Sequence, residues 1–140
     1  MDTKLKGDIA EHATILYALT QGWGVLTPVG DRLPYDLVLD IKSRLIKIQV
    51  KSAWFDQAKQ NWVVDNRRTK TNRRAMVRSP YDEKDFDFAI LYISKLKVFY
   101  IMPSIVFNSY GSEIHLVEDS KRQRKPKSAQ FRNAWSLLLQ

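Results

Sequence analysis

Residues 34–51 read Pro34-Tyr35-Asp36-Leu37-Val38-Leu39-Asp40-Ile41-Lys42-Ser43-Arg44-Leu45-Ile46-Lys47-Ile48-Gln49-Val50-Lys51, two arms rich in Val, Ile and Leu around a polar break at Lys42-Ser43. Such arms favour extended backbone, and so short a break joins antiparallel strands through a tight turn. With Lys42 and Ser43 as the two central turn residues, Ile41 lies opposite Arg44, and counting outward sets Asp36 opposite Gln49. Side chains alternate across a strand. Asp36, Asp40, Lys47, Gln49 and Lys51 therefore share one face, while Leu37, Leu39, Ile41, Ile46, Ile48 and Val50 share the other. The hairpin has one face to bury and one face of reactive groups.

Outward from the hairpin, the flanking segments supply a sheet and its cover. Residues 3–20 carry Leu5, Ile9, Ala13 and Leu16 at helical spacing, and Gly22 and Gly24 stop the pattern. Glu11 falls on the flank of that stripe and by itself reads as a solvated charge; His12 beside it reads as structural. Residues 23–26 form a short lead-in strand paired with the hairpin, and residues 28–32 a loop with turn chemistry at Pro28 and Gly30. Beyond the hairpin, residues 62–64 suit a short partner strand, and the almost continuous apolar run at residues 86–93 suits a central strand covered on both faces. Residues 94–97 turn it, residues 98–102 pair back on it, and Pro103-Ser104 opens a helical turn through Phe107. Asp85 and Asp87, at the mouth of that strand, read as structural acids.

Bulk properties limit the function. A chain of 140 residues suits one domain with its own core. It has no cysteine, which excludes disulfides and thiolate zinc sites and suits a reducing cytosol. Neither a signal peptide nor an apolar run of about 20 residues is present, so the expectation is a soluble, cytoplasmic protein with no membrane partner. A net charge of +8 favours a polyanion, and nucleic acid over membrane because no strongly basic amphipathic helix stands out. Much of that charge lies in an insert at about residues 56–80, where Arg67, Arg68, Lys70, Arg73, Arg74 and Arg78 are separated mostly by polar or small residues. A free loop this basic repels itself, whereas a phosphate backbone rewards it by counterion release. Thr69, Thr71 and Asn72 add neutral hydrogen-bonding groups. Trp54, Phe55 and Trp62 read as packing beneath the insert, with base stacking as their other use. Residues 121–140 are basic and then apolar: Lys121, Arg122, Arg124, Lys125, Lys127 and Arg132 precede Ala134, Trp135, Leu137, Leu138 and Leu139. That apolar end must dock, on its own core or on another copy.

A carboxylate, an amide and an ammonium on one sheet face suit a divalent cation held beside a phosphate. Asp36 is a hard oxygen ligand, the Gln49 carbonyl a weaker one, and Lys51 offers positive charge to a phosphoryl oxygen or an attacking water. Pro34, Asp36, Gln49 and Lys51 resemble the signature of the PD-(D/E)xK nucleases, with Gln49 in place of the usual acid. The setting adds to the resemblance: Gly7-Asp8-Ile9-Ala10-Glu11 on a leading helix, Pro28-Val29-Gly30-Asp31 before the hairpin, Gln49-Val50-Lys51-Ser52 at its end, and Phe86-Asp87-Phe88-Ala89 opening a later strand. Over roughly the first two-thirds of the chain it is similar to the small group I intron homing endonucleases of that class.

The resemblance implies an α/β (α+β) restriction-endonuclease-like fold, a mixed central sheet flanked by helices, and hydrolysis of double-stranded DNA. It implies that Glu11, Asp36, the Gln49 side-chain oxygen and the Val50 carbonyl hold Mg²⁺, with Mn²⁺ able to substitute and Ca²⁺ non-catalytic, and that Lys51 serves the attacking water. The neutral Gln49 leaves open one metal or two. Arg32, on the loop delivering the chain to Pro34, touches DNA or is a solvated loop arginine. A long recognition site implies a homo-oligomer, a tetramer by resemblance and a dimer otherwise. Two rivals stand beside this reading: a junction resolvase of the same fold, and a catalytically inactive basic DNA-binding protein.

Overall fold

The computed structural model describes residues 2–71, 76–119 and 125–140. Asn72, Arg73, Arg74, Lys121, Arg122 and Arg124 lie outside the described residues, as do the side chains of Arg68, Lys70 and Arg78. Helix α1 spans Thr3–Thr20. Its first turn is capped by Asp2, whose Oδ1 accepts from the Lys4 amide at 3.0 Å. Its end is closed by Gly22 in the left-handed region (φ 81°), where the Gly22 amide donates to Leu19 O and the Trp23 amide to Ala18 O, each at 3.0 Å. The helix bounds are those read from the sequence, but the buried stripe is different. Ala10, Thr14 and Ala18 face the core, and Leu5 and Leu16 are exposed. The sheet comes too close for leucine on this side, so small side chains fill it, and Thr14 satisfies its hydroxyl by donating to Ala10 O at 2.9 Å.

The strands that follow are β1 (Gly24–Leu26), β2 (Leu37–Ile41), β3 (Arg44–Ser52), β4 (Trp54–Asp56), β5 (Asn61–Asp65), β6 (Arg67–Thr71), β7 (Met76–Pro80), β8 (Phe88–Ile93), β9 (Val98–Pro103) and, after helix α2 (Ser104–Ser109), β10 (Glu113–Leu116). The main sheet has the order β1-β2-β3-β8-β9, mixed because β3 and β8 run parallel. The hairpin register is the one counted from the sequence: Ile41 pairs with Arg44 and Leu37 with Ile48. Lys42 and Ser43 both have positive φ (52° and 65°), as the two-residue hairpin turn matched to strand twist requires.

Each sheet face carries its own core. Leu37, Leu39, Ile41, Ile46, Ile48 and Val50 are buried with Ile90, Tyr92 and Ile101 beneath α1 and the C-terminal turns. On the opposite face, Ala89, Leu91, Ile93, Tyr100 and Met102 meet Phe86 and Phe107 and the second sheet, β10-β5-β4. The β2–β3 part of that second face is where the polar side chains stand. From its flank projects a two-stranded ribbon, β6–β7, paired from Arg67↔Pro80 to Thr71↔Met76. The ribbon and β10 were not legible as strands: the first is too charged to show alternation, and the second is four residues long.

The apolar end of the chain docks on its own core. Trp135 stacks on Tyr17 with ring centroids 3.8 Å apart, Leu138 is fully buried, and Arg44 donates to the carbonyls of Leu138 and Gln140. Leu138→Ala is therefore expected to cost about 2–5 kcal/mol and Trp135→Ala about 3–5 kcal/mol of monomer stability. Urea titration measures this, and an undiminished denaturation midpoint in both variants would remove the tail from the core.

Candidate active site

Asp36 lies one residue ahead of β2. Its amide donates to Ile48 O at 2.8 Å, continuing the hairpin ladder, and its Oδ2 accepts from the Val50 amide at 2.7 Å. That second bond fixes the carboxylate against β3 beside the residues expected to work with it. Gln49 is buried, with its Nε2 3.4 Å from Val50 O. Lys51, two residues on, projects from the same face and donates to Arg67 O at 3.1 Å. Glu11 reaches the site from the flank of α1, which packs on one face of the sheet. It shares with Tyr35, Asp36, Asp31 and Gly30 the wall of a cleft of about 220 Å³.

The charges in this cleft are held in tension. Burial raises the Asp36 carboxyl above its ordinary range, against the lowering effects of the Val50 N–H bond and of Lys51. Burial raises Glu11 too, followed by repulsion from Asp36, with His12 pulling it down and Asp8 pushing it up. Two half-buried carboxylates that resist ionisation are stabilised by a divalent cation, which inverts the local charge balance.

The donor set decides which cation fits. Among the described residues no group of three His, Cys, Asp or Glu side chains is arranged to hold a metal ion, so the carboxylates need other oxygens beside them. Two carboxylates with a backbone carbonyl and an amide oxygen fit a hard cation such as Mg²⁺, which uses one or two carboxylates and completes its shell with water and phosphate. The Gln49 amide presents its nitrogen to Val50 O, so both oxygens face a common ion only after that amide turns over.

The remaining expected residues divide by position. Asp87 accepts the Lys47 amide at 2.8 Å and Asp85 the Asp82 amide at 2.8 Å, which makes both strand-mouth acids structural. His12 sits exposed against Asp8 O at 2.8 Å, a local helix contact. Phe55 and Trp62 pack edge to face at 5.1 Å on the second sheet. Arg32 is exposed between Asp31 and Leu33, which line the cleft. Arg67 is not held for DNA alone, because its guanidinium bonds both oxygens of Asp65 at 3.2 Å. Asp31 and Tyr35 in the cleft wall, and Tyr81 beside Lys51, were not named as site residues from the sequence. Asp31 had a signal, an acid two residues after Val29 in the loop leading to the hairpin. Tyr81 had none, since its ring comes within 5.0 Å of the Lys51 ammonium only through the fold of the ribbon.

Comparison with known proteins bears on the chemistry. The PD-(D/E)XK endonuclease family model matches residues 1–138. The structure is similar to that of a bacterial homing endonuclease, I-Ssp6803I, with a TM-score of 0.92 and 61% sequence identity over 99% of this chain and 94% of that one. No curated protein matches the chain. Among the described residues, no helix is long and apolar enough to cross a membrane.

Proposed function

The chain belongs to the PD-(D/E)XK endonuclease family and is a DNA endonuclease, and from that premise we propose a site-specific homing endonuclease that cuts double-stranded DNA with Mg²⁺. The observation that carries the mechanism is that Glu11 and Asp36 wall one cleft, from one helix and one arm of the hairpin, while Lys51 on the other arm acts on the Asp36 charge and stands where the ribbon begins. PD-(D/E)XK nucleases use divalent metals. Here Glu11, Asp36, the Gln49 side-chain oxygen and the Val50 carbonyl would hold the ion. When bound, the cation supplies Lewis-acid stabilisation of charge developing on the phosphoryl oxygens. The Val50 N–H keeps the Asp36 carboxylate in register. The Lys51 ammonium orients the attacking water and balances negative charge on the phosphate as the P–O bond breaks. Gln49 in place of an acid lowers the site's negative charge, so phosphate is repelled less.

The test is incubation of the purified protein and Mg²⁺ with plasmids bearing random inserts. Rare, reproducible cuts at one sequence are expected. Cutting confined to branched DNA would make the protein a junction resolvase, and no cutting of any substrate an inactive binder.

The ribbon and its flanks are the proposed DNA grip, through Arg67, Arg68, Lys70, Arg73, Arg74 and Arg78, with Arg32 on the cleft side. If these six basic side chains meet phosphates, log affinity falls with log salt at a slope of about −5, from roughly −0.9 per neutralised phosphate. Arg68→Ala is expected to make the slope shallower by about one unit, and Arg67→Ala by less, because Asp65 already neutralises that guanidinium. Anisotropy titrations across a salt series measure both, and unchanged slopes would move the DNA face elsewhere.

A homo-oligomer, tetrameric by resemblance, completes the proposal. With the tail docked, support for self-association comes from the outer side of α1, where Leu5, Leu16 and Leu19 are 48%, 64% and 56% exposed on the side opposite Ala10, Thr14 and Ala18. A monomer by sedimentation velocity at micromolar concentration would end it.

A further inference from the structure

We propose that the base of the ribbon positions the catalytic lysine, with Tyr81 as the positioning residue; this rests on the reading of Lys51 given above. The Lys51 Nζ donates to the carbonyl of Arg67 at 3.1 Å and lies 5.0 Å from the centroid of the Tyr81 ring. Arg67 is the first residue of β6, and Tyr81 follows Pro80, the last residue of β7. Arg67 and Pro80 are themselves paired across the ribbon. The ammonium thus touches both legs of the ribbon at one level, where they leave the body of the protein.

Both contacting groups are anchored. The Asn66 Nδ2, next to Arg67, donates to the carbonyls of Phe107 and Tyr110 at 3.3 Å each. The Arg67 amide donates to Asp65 at 2.9 Å. Tyr81 is buried, edge to face with Phe86 at 5.2 Å and with Phe107 at 6.0 Å.

The chemistry of these partners suits a catalytic cation. A lysine side chain has four flexible carbons and three donors, so holding its ammonium still needs several directed contacts. A carboxylate would hold it and cancel its charge. A carbonyl dipole and a ring face hold it through partial charges and do not themselves neutralise it. The ribbon that grips the duplex therefore also sets the lysine that serves the scissile phosphate. Binding and chemistry share one rigid base.

The test keeps the shape of position 81 and changes only the electrostatics of its ring. Tyr81→Phe is expected to cleave within about twofold of wild type, since the ring face is retained. Successive fluorination of a phenylalanine at 81 drains the ring face of negative potential. Single-turnover cleavage is expected to fall stepwise, by roughly tenfold at pentafluorophenylalanine, the scale of a partly desolvated cation–ring contact, with DNA affinity unchanged. A flat series, or a fall that tracks lost DNA affinity, overturns the proposal. An independent readout needs no activity: the Lys51 Hε protons, assigned with Lys51→Arg, are expected upfield through the ring current and at ordinary lysine shifts in Tyr81→Leu. Ordinary shifts in the wild type overturn the positioning role. Lys51→Ala cutting at the wild-type rate would instead overturn the reading beneath it, so the two failures are distinct.

Discussion

Asp36→Asn is expected to abolish divalent-dependent cleavage, by at least about 10³-fold or roughly 4 kcal/mol of barrier, because the substitution removes the charge that holds the cation. The same change is expected to stabilise the metal-free fold at neutral pH. In the folded chain the Asp36 carboxyl is raised above its ordinary value of 3.8, mainly by burial. Between the unfolded and folded values the native state therefore binds more protons than the unfolded one, and stability falls as pH rises through that window. Above it the full penalty remains. Asn carries none, and its Oδ1 still accepts the Val50 N–H. The variant's gain in melting temperature should thus be present at pH 8 and absent near pH 3. Mg²⁺ should raise the melting temperature of the wild type and not of the variant. DNA affinity should hold or rise, since a carboxylate facing phosphates has gone. Cleavage by Asp36→Asn at the wild-type rate in Mg²⁺ would make the hairpin merely structural and sink the active-site assignment.

The hairpin was legible in sequence because three local signals agree there. Alternation, interrupted at Val38 and Leu45, marks the faces, the two-residue break sets the register, and Asp36 and Lys51 stand in phase on the reactive side. The α1 interface was legible only in extent. Its caps lie in the chain itself, at Asp2 and Gly22, whereas the face it buries is dictated by how near the sheet approaches. Small residues at Ala10, Thr14 and Ala18 carry no hydrophobic signal to compete with Leu5 and Leu16. Glu11 shows the same division. As a helix-flank acid it is indistinguishable from any solvated glutamate, and the family resemblance named it before its shared cleft with Asp36 gave a physical reason. The contacts that hold Lys51 were beyond sequence altogether, because a backbone carbonyl has no side-chain signature and Tyr81 lies thirty residues further along the chain.

Lys51→Ala is the second large loss expected, and its character differs from that of Asp36→Asn. Removing the ammonium leaves Glu11 and Asp36 in place, so a divalent cation still binds and still raises the melting temperature. What is lost is the positive charge beside the water and the phosphate, worth about 3 kcal/mol or more by analogy with loss of one oxyanion donor, a fall of more than 100-fold in single-turnover rate. Affinity for uncut DNA should fall only modestly, by the share of one phosphate contact. The Asp36 carboxyl loses a cation that lowers its pKa, so Asp36 is expected to ionise at a higher pH than in the wild type. Lys51→Arg keeps the charge but carries a longer, planar fork in place of the compact ammonium that the Arg67 carbonyl and the Tyr81 ring hold. It should therefore recover DNA affinity and little of the rate. A full recovery of rate by arginine would mean that charge alone is needed at this position and that the geometry around Lys51 is incidental.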